Sequence, residues 1–140
     1  MSVEEFLASA REAEQETERL AEMLLRLDAR ARRVTAVYRQ TSPGGRGEGP
    51  ENLWMQLAEQ RTRLAERLAA SARQQEAVEA FISRIGQSCC REMLRLRVLS
   101  FLTVEAAAER MGYSYDAGKR LSAKAMRMAR AVWQADHAAV

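Results

Sequence analysis

The side chains with the most reactive chemistry are few and form no catalytic arrangement. Cys89 and Cys90 are adjacent, and His137 is the only histidine of the chain. A disulfide between neighbouring cysteines is strained, so these two are expected to be reduced thiols that pack as small residues. The sequence has no zinc-ligand spacing, no nucleophile with a histidine base and no glycine-rich phosphate loop. It therefore predicts no enzymatic activity, no catalytic or metal-binding residue and no cofactor.

A different group of polar side chains is concentrated between residues 114 and 127. Arginine and lysine can bond to guanine or phosphate, aspartate can accept from cytosine, and tyrosine can contact phosphate or a thymine methyl group. Both lysines of the chain lie in this stretch. These residue types indicate binding to duplex DNA. The candidate DNA-binding residues are Ser114, Tyr115, Asp116, Lys119, Arg120, Ser122, Lys124 and Arg127.

The positive charge is concentrated at the same end of the chain. Residues 86–140 have nine lysines and arginines against five acidic residues, whereas residues 1–85 have 13 against 14. A basic segment is expected where nucleic acid binds, although an arginine-rich solvated helix has the same charge. Residues 1–11 do not resemble a signal peptide, and no apolar run approaches the roughly 20 residues that cross a bilayer. A cytoplasmic protein without membrane contact is expected.

The composition predicts helix along nearly the whole chain. Glycine occurs seven times and proline twice in 140 residues, and helix-favouring alanine, leucine, arginine and glutamate are abundant. The first helix is predicted over residues 2–39, because apolar or small residues recur there at alternating intervals of four and three. Such a narrow stripe must pack on another helix. It consists of Phe6, Ala10, Ala13, Thr17, Leu20, Leu24, Leu27, Ala31, Val34 and Tyr38.

A glycine-rich break separates the first helix from the second. The run TSPGGRGEGP predicts a flexible linker over residues 41–51. A second helix from about residue 51 fits the return arm of an antiparallel hairpin. The predicted fold class is therefore all-α, with a long coiled-coil hairpin over residues 1–85 and a second domain over residues 86–140. The stripe of the second helix consists of Trp54, Leu57, Leu64, Leu68, Val78, Ile82 and Ile85.

The second domain contains the signals of a helix-turn-helix. Thr103 can cap a helix over residues 104–111, and Gly112 can end that helix with a positive φ. Ser114 can cap a further helix from residue 115 to about residue 133. Two helices joined by a short turn with glycine form the motif whose second helix enters the major groove. The candidate DNA-binding residues lie at the start of that second helix.

The run TVEAAAERMGYSYDAGKRLSAKAMRMA resembles region 4 of the sigma-70 family of RNA polymerase sigma factors. The wider layout is similar to small phage and prophage regulators of the ArpU/RinA type. The resemblance implies a DNA-binding transcription regulator of phage or prophage origin, with the RNA polymerase core as a further partner. The matching positions are Thr103, Glu105, Glu109, Arg110, Gly112, Ser114, Ala123, Lys124, Ala125 and Arg127.

Two residues that would face the core depart from the sigma pattern. Ala107 and Gly118 stand where that pattern has branched apolar residues. Glycine inside a helix costs about 1 kcal/mol relative to alanine. Small residues at both places predict either a close approach of the two helices or a marginally stable domain. The base-reading positions also differ, so the resemblance does not imply a particular DNA sequence.

Two alternatives from other function classes remain open. In the first, the chain is a protein-interaction module whose hairpin binds polymerase or a phage protein without reading DNA. In the second, it is a small phage DNA-packaging subunit that binds DNA within a ring. A homodimer through the hairpin is a further prediction, because Arg61, Ser71 and Gln75 interrupt the stripe of the second helix and leave a surface there.

Overall fold

The computed structural model describes residues 1–41 and 51–138, and these contain helices and turns but no strand. The predicted all-α fold class is confirmed. Residues 42–50, which make up most of the predicted flexible linker, lie outside the described residues. The helices are α1 (Val3–Thr41), α2 (Glu51–Ser83), α3 (Ser88–Leu94) with its continuation as a π-helical turn (Arg95–Leu99), α4 (Val104–Met111) and α5 (Tyr115–His137).

Local capping explains where α1 begins. The Ser2 hydroxyl accepts from the backbone N–H of Glu5 at 3.1 Å, and the Glu5 carboxylate accepts from the N–H of Ser2 at 3.2 Å. This reciprocal pair is a capping box, which provides partners for N–H groups that the helix itself cannot satisfy. The carboxylate of Glu4 also lies in the first turn, where it interacts favourably with the helix dipole.

Packing divides the chain into two compact units. Unit 1 combines Met1–Glu14 with Arg73–Val140, and unit 2 is Gln15–Ala72. The predicted domains at residues 1–85 and 86–140 stay a prediction. The packing groups the residues differently, because the first turns of α1 and the end of α2 share one core with α3 and α5.

The core of unit 1 combines branched side chains with small ones. Ile82 and Ile85 at the end of α2 are fully buried. Ala125 and Ala129 of α5 pack in the same cluster and are also fully buried. Small residues on one helix and large residues on its neighbours allow close packing. The complete buried cluster is Val3, Leu7, Ala10, Val78, Phe81, Ile82, Ile85, Cys90, Leu94, Ala125 and Ala129.

An aromatic cluster closes one side of this core. The rings of Phe6 and Phe81 meet edge to face with centroids 5.5 Å apart. Trp133 of α5 lies 5.1 Å from the Phe6 ring and 5.9 Å from the Phe81 ring. The His137 ring stacks on the Trp133 ring, with centroids 4.2 Å apart. Edge-to-face and stacked pairs contribute beyond their buried area, so the cluster joins α1, α2 and α5.

Ion pairs hold the same three helices at their surface. Arg84 donates to both carboxylate oxygens of Asp136 at 2.5 Å, which is a bidentate pair between the turn directly after α2 and the end of α5. Arg130 of α5 donates to Glu4 of α1 at 2.7 Å. Bidentate arginine–carboxylate pairs fix geometry as well as adding energy. The last turns of α5 are therefore positioned by residues distant in sequence.

Unit 2 is an antiparallel pair of helical segments. Glu16 near the start of its α1 segment pairs with Arg67 near the end of its α2 segment at 2.6 Å. Tyr38 near the end of the α1 segment meets Trp54 near the start of α2, with ring centroids 5.6 Å apart. Residues later in α1 therefore pair with residues earlier in α2. This is the antiparallel arrangement that the stripes predict.

The core of unit 2 is thin. Leu20, Leu57 and Leu64 are buried there, but much of the remaining predicted stripe is only half-buried. Leu25 is 67% exposed and Met55 is 62% exposed. A pair of helices buries only one stripe of each partner, so apolar side chains outside that stripe stay in contact with solvent.

The Arg84–Asp136 pair predicts a loss of stability in acid. Its hydrogen bonds hold the pKa of Asp136 below the ordinary value. The stabilisation is therefore present above about pH 4 and is lost as the pH falls through the lowered value. We expect Asp136→Asn to lower the melting temperature at neutral pH, with a difference from the unmodified protein that shrinks below about pH 4.

Thermal unfolding followed by circular dichroism across this pH range measures the difference. Glu76→Gln is the matched control, because Glu76 is an exposed carboxylate of α2 that forms no ion pair within the described residues. Its curve should show no such convergence. A difference for Asp136→Asn that stays constant with pH contradicts the assignment.

Candidate nucleic-acid interface

The caps of α4 lie where the sequence predicts them. The Thr103 hydroxyl accepts from the backbone N–H of Ala106 at 3.2 Å. At the other end Gly112 adopts a φ of 78°, a left-handed conformation that glycine reaches without a side-chain clash. The N–H of Tyr113 then returns to the carbonyl oxygen of Ala108 at 2.9 Å. This bond satisfies a carbonyl group that the end of the helix leaves free.

The first turn of α5 follows directly. The Ser114 hydroxyl accepts from the N–H of Ala117 at 3.2 Å, as the predicted cap requires. Asp116 lies in the first turn, where a carboxylate interacts favourably with the helix dipole. The helix continues to His137, beyond the predicted end near Trp133. Its extra turn is stabilised by bonds from Arg84, directly after α2, that local sequence signals do not reveal.

The two helices approach each other closely at Gly118. A Cβ at this position would lie 2.4 Å from the Cβ of Ala108, nearer than two such atoms come. The structure therefore has the close approach that the departures from the sigma pattern predict. The two departures do not meet each other, because Ala107 packs with Met93 and Leu96 in a separate small cluster.

The exposed face of α5 carries cations. Asp116, Arg120, Ala123 and Arg127 follow at intervals of three or four residues, and all four are exposed. Lys124 lies beside them and is also exposed. Arg120, Lys124 and Arg127 form no ion pair within the described residues. Their charge is therefore available to an external anion.

Lys119 has a different environment from the other candidate cations. Its ammonium group lies 4.5 Å from the centre of the Tyr115 ring, and Tyr115 is 50% exposed. Such a cation–π contact orients the side chain without neutralising it. Lys119 and Arg127 also line a groove of about 550 Å³ beside α5. The two predicted residues Tyr115 and Lys119 are thus brought together at one edge of the cationic face.

Ser122 is placed differently from the other candidates. Only 7% of the residue is exposed, and its hydroxyl accepts from the Arg97 guanidinium at 2.9 Å. It belongs to the buried face of α5, together with Gly118 and Ala125. Its hydroxyl already has a partner in Arg97, and its contact with DNA stays a prediction. Ser122 holds Arg97 against α5.

Two residues near the interface were not singled out by the sequence pattern. Arg97 lies in the π-helical turn, yet its guanidinium reaches α5. Tyr113, between Gly112 and Ser114, is 44% exposed rather than packed under the turn. The neighbouring glycine is a signal that could have suggested the exposure of Tyr113. No local signal links Arg97 to Ser122, since the two are 25 residues apart.

Two further arginines of unit 1 are paired with carboxylates. Arg130 donates to Glu4, and this bond holds the pKa of the Glu4 carboxyl below its ordinary value. Arg95 donates to Glu79 at 3.1 Å. These arginines connect helices to each other. Within the described residues, the cations of α5 without an ion pair are Lys119, Arg120, Lys124 and Arg127.

The cysteines pack as small residues. Both are free thiols, and Cys90 is fully buried in the core of unit 1. Burial raises the pKa of the Cys90 thiol, which keeps it protonated at neutral pH. Among the described residues no group of three or more histidine, cysteine or acidic side chains could hold a metal ion. No helix in these ranges is both long and apolar enough to cross a membrane.

Comparison with protein-family models, curated proteins and solved structures finds no match for this chain. The resemblance to sigma-70 region 4 therefore stays a prediction from the residues.

The contact between Gly118 and Ala108 predicts an unusual response to substitution. Gly118→Ala gains about 1 kcal/mol in helix propensity, but the clash with Ala108 costs about 1–3 kcal/mol. We expect the single variant to be destabilised. In an Ala108→Gly background the clash is removed, so the same Gly118→Ala change should stabilise the protein by about 1 kcal/mol.

Urea unfolding of the four proteins of this cycle gives the two free-energy differences. The sign of the Gly118→Ala effect must reverse between the two backgrounds. The same sign in both would show that the helices do not meet at these residues.

Proposed function

We propose that the protein binds duplex DNA through α4 and α5 as a helix-turn-helix and acts as a transcription regulator. The observation that carries the proposal is the exposed face of α5, where Arg120, Lys124 and Arg127 lack ion-pair partners within the described residues. This face belongs to the helix that enters the major groove in such motifs. The resemblance to sigma-70 region 4 supports the same function. It also suggests a phage or prophage origin and contact with the RNA polymerase core.

The first turns of α5 are the proposed base-reading part. In helix-turn-helix proteins the N-terminal residues of the second helix contact base edges. Arg120 is suited to guanine, whose O6 and N7 atoms accept two hydrogen bonds from a guanidinium. Asp116, one turn earlier on the same exposed face, is suited to the amino group of cytosine. The pair therefore favours a site containing a G·C base pair.

The other candidates are assigned to the DNA backbone. Lys124 and Arg127 lie further from the start of α5, where contacts to phosphate are expected. Lys119, held over the Tyr115 ring, lies at the edge of the face. We assign Lys119 and Tyr115 to contacts with phosphate or sugar. Ser114 contributes through its cap, which fixes the first turn.

Unit 2 supports a second candidate function, a protein-interaction module. Leu25, Tyr38 and Met55 are large apolar residues that are exposed on this helical pair. Exposed apolar side chains on a thin core are typical of surfaces that bind a partner. Homodimerisation through the hairpin is one form of this candidate. The DNA-binding proposal is favoured because its residues combine charge, exposure and a motif geometry.

A salt series of DNA-binding measurements tests the leading proposal. We expect Lys124→Ala and Arg127→Ala to weaken binding to all sequences alike and to reduce the salt slope by about one unit each. Arg120→Ala should cost about 1–3 kcal/mol on the preferred site and relax specificity there. Fluorescence anisotropy with random-sequence duplexes, and with a site selected from a randomised pool, distinguishes residues that contact phosphate from those that read bases.

Two further variants sharpen the test. Asp116→Ala should raise binding to random DNA, because it removes a carboxylate that repels phosphate. Arg73→Ala is the control, since it removes an equal charge from an exposed position of α2. If Arg73→Ala and Arg120→Ala have equal effects, only net charge matters and α5 does not read DNA. If the unmodified protein binds no duplex at low salt, the interaction-module function replaces this proposal.

A further inference from the structure

A groove in unit 1 lies between the first turns of α1 and the π-helical turn. Its volume is about 320 Å³. Leu7, Ala8 and Arg11 line the α1 wall. Arg97 and Val98 line the other wall. The groove thus has two helical walls, and α1 contributes one of them, outside the helix-turn-helix.

The interior of this groove is apolar. Leu7 and Leu94 are core residues whose buried side chains form its base. Val98 and Met126 are partly buried and pack on the same core. Side chains of this kind bind the apolar face of a partner better than they bind a polar ligand.

The rim of the groove is positively charged. Arg11 and Arg97 stand on opposite walls, and neither forms an ion pair within the described residues. Arg97 bonds only to a neutral hydroxyl, that of Ser122, and keeps its charge. The carboxylate at the rim, Glu4, is already paired with Arg130. An occupant with carboxylates is therefore favoured over a basic one.

The residue at the end of one wall is held in an unusual backbone conformation. Phe101 has a φ of 58°, and the structure has no other non-glycine residue with a positive φ among those described. Its ring lies under the Arg11 guanidinium, with 5.5 Å from the guanidinium carbon to the ring centre. A bulky residue in this region is strained and persists only where its surroundings determine its position. Phe101 thereby fixes Arg11 at the rim.

We propose that this groove binds an amphipathic helix of a partner protein that has acidic residues beside its apolar stripe. The apolar side chains of such a helix, at positions i, i+3, i+4 and i+7, enter the groove between the two walls. Its carboxylates lie against Arg11 and Arg97, one on each wall. This charge complementarity selects an acidic partner and orients it. The inference does not depend on DNA binding by α5.

Synthetic peptides test this proposal on the full-length protein. The probe has leucines at i, i+3, i+4 and i+7 with glutamates on both flanks, and a matched peptide has lysines in place of the glutamates. We expect the glutamate peptide to bind and the lysine peptide to bind much more weakly. Arg11→Glu should weaken the glutamate peptide about tenfold, because it turns an exposed attraction into a repulsion. The same variant should strengthen binding of the lysine peptide.

Arg73→Glu is the control variant, because it makes the same change of net charge outside the groove. It should leave both peptides nearly unaffected. The proposal is overturned if Arg73→Glu and Arg11→Glu act alike, or if a glutamate peptide with scrambled leucines binds equally well. It is also overturned if sedimentation shows a dimer that Arg11→Glu dissociates, because a second copy of the chain then fills the groove. Arg97→Glu repeats the test from the opposite wall.

Discussion

The arrangement of unit 1 depends on a stripe of small buried residues along α5. Gly118, Ser122, Ala125 and Ala129 follow one another at intervals of four, three and four, and all are buried. Gly118 allows α5 to touch Ala108 of α4, while the two alanines let it lie close to the large residues of the core. Small side chains add little hydrophobic free energy themselves, so the branched and aromatic residues around them supply most of it. Because this stripe must face inward, the polar side chains of α5 lie on its outer face.

The charges of unit 1 are divided between two uses. Arg84 and Arg130 pair with carboxylates on other helices and hold α5 in place. Exposed ion pairs of this kind contribute little to stability, so their main effect is on position. Arg120, Lys124 and Arg127 remain for external partners. Part of the positive charge of residues 86–140 therefore lies unpaired on the outer face of α5.

Local signals allowed much of the fold to be predicted. Contacts between residues that are distant in sequence could not be predicted from them. The bounds of α4 and the start of α5 follow from Thr103, Gly112 and Ser114, since caps and positive-φ glycines act within a few residues. The burial of Ser122 depends on Arg97, 25 residues earlier, and no pattern of spacing links them. The last turn of α5 likewise depends on a distant partner, Arg84, directly after α2. In the candidate site, exposure of the cations was predictable from helical periodicity, whereas their pairing was not.

The proposed DNA interface and the groove beside α1 share structural elements. Met126 lines both the groove beside α1 and the second groove, of about 550 Å³, beside the cationic face of α5. Arg97, on a wall of the groove beside α1, donates to Ser122, which lines the second groove. An acidic group in the groove would compete with Ser122 for the Arg97 guanidinium, because a charged acceptor forms a stronger hydrogen bond than a hydroxyl. Loss of this bond would leave the buried hydroxyl of Ser122 without its donor, on the face of α5 that packs inward. The hydrogen bond between Arg97 and Ser122 thus connects the groove beside α1 with the proposed DNA interface on α5.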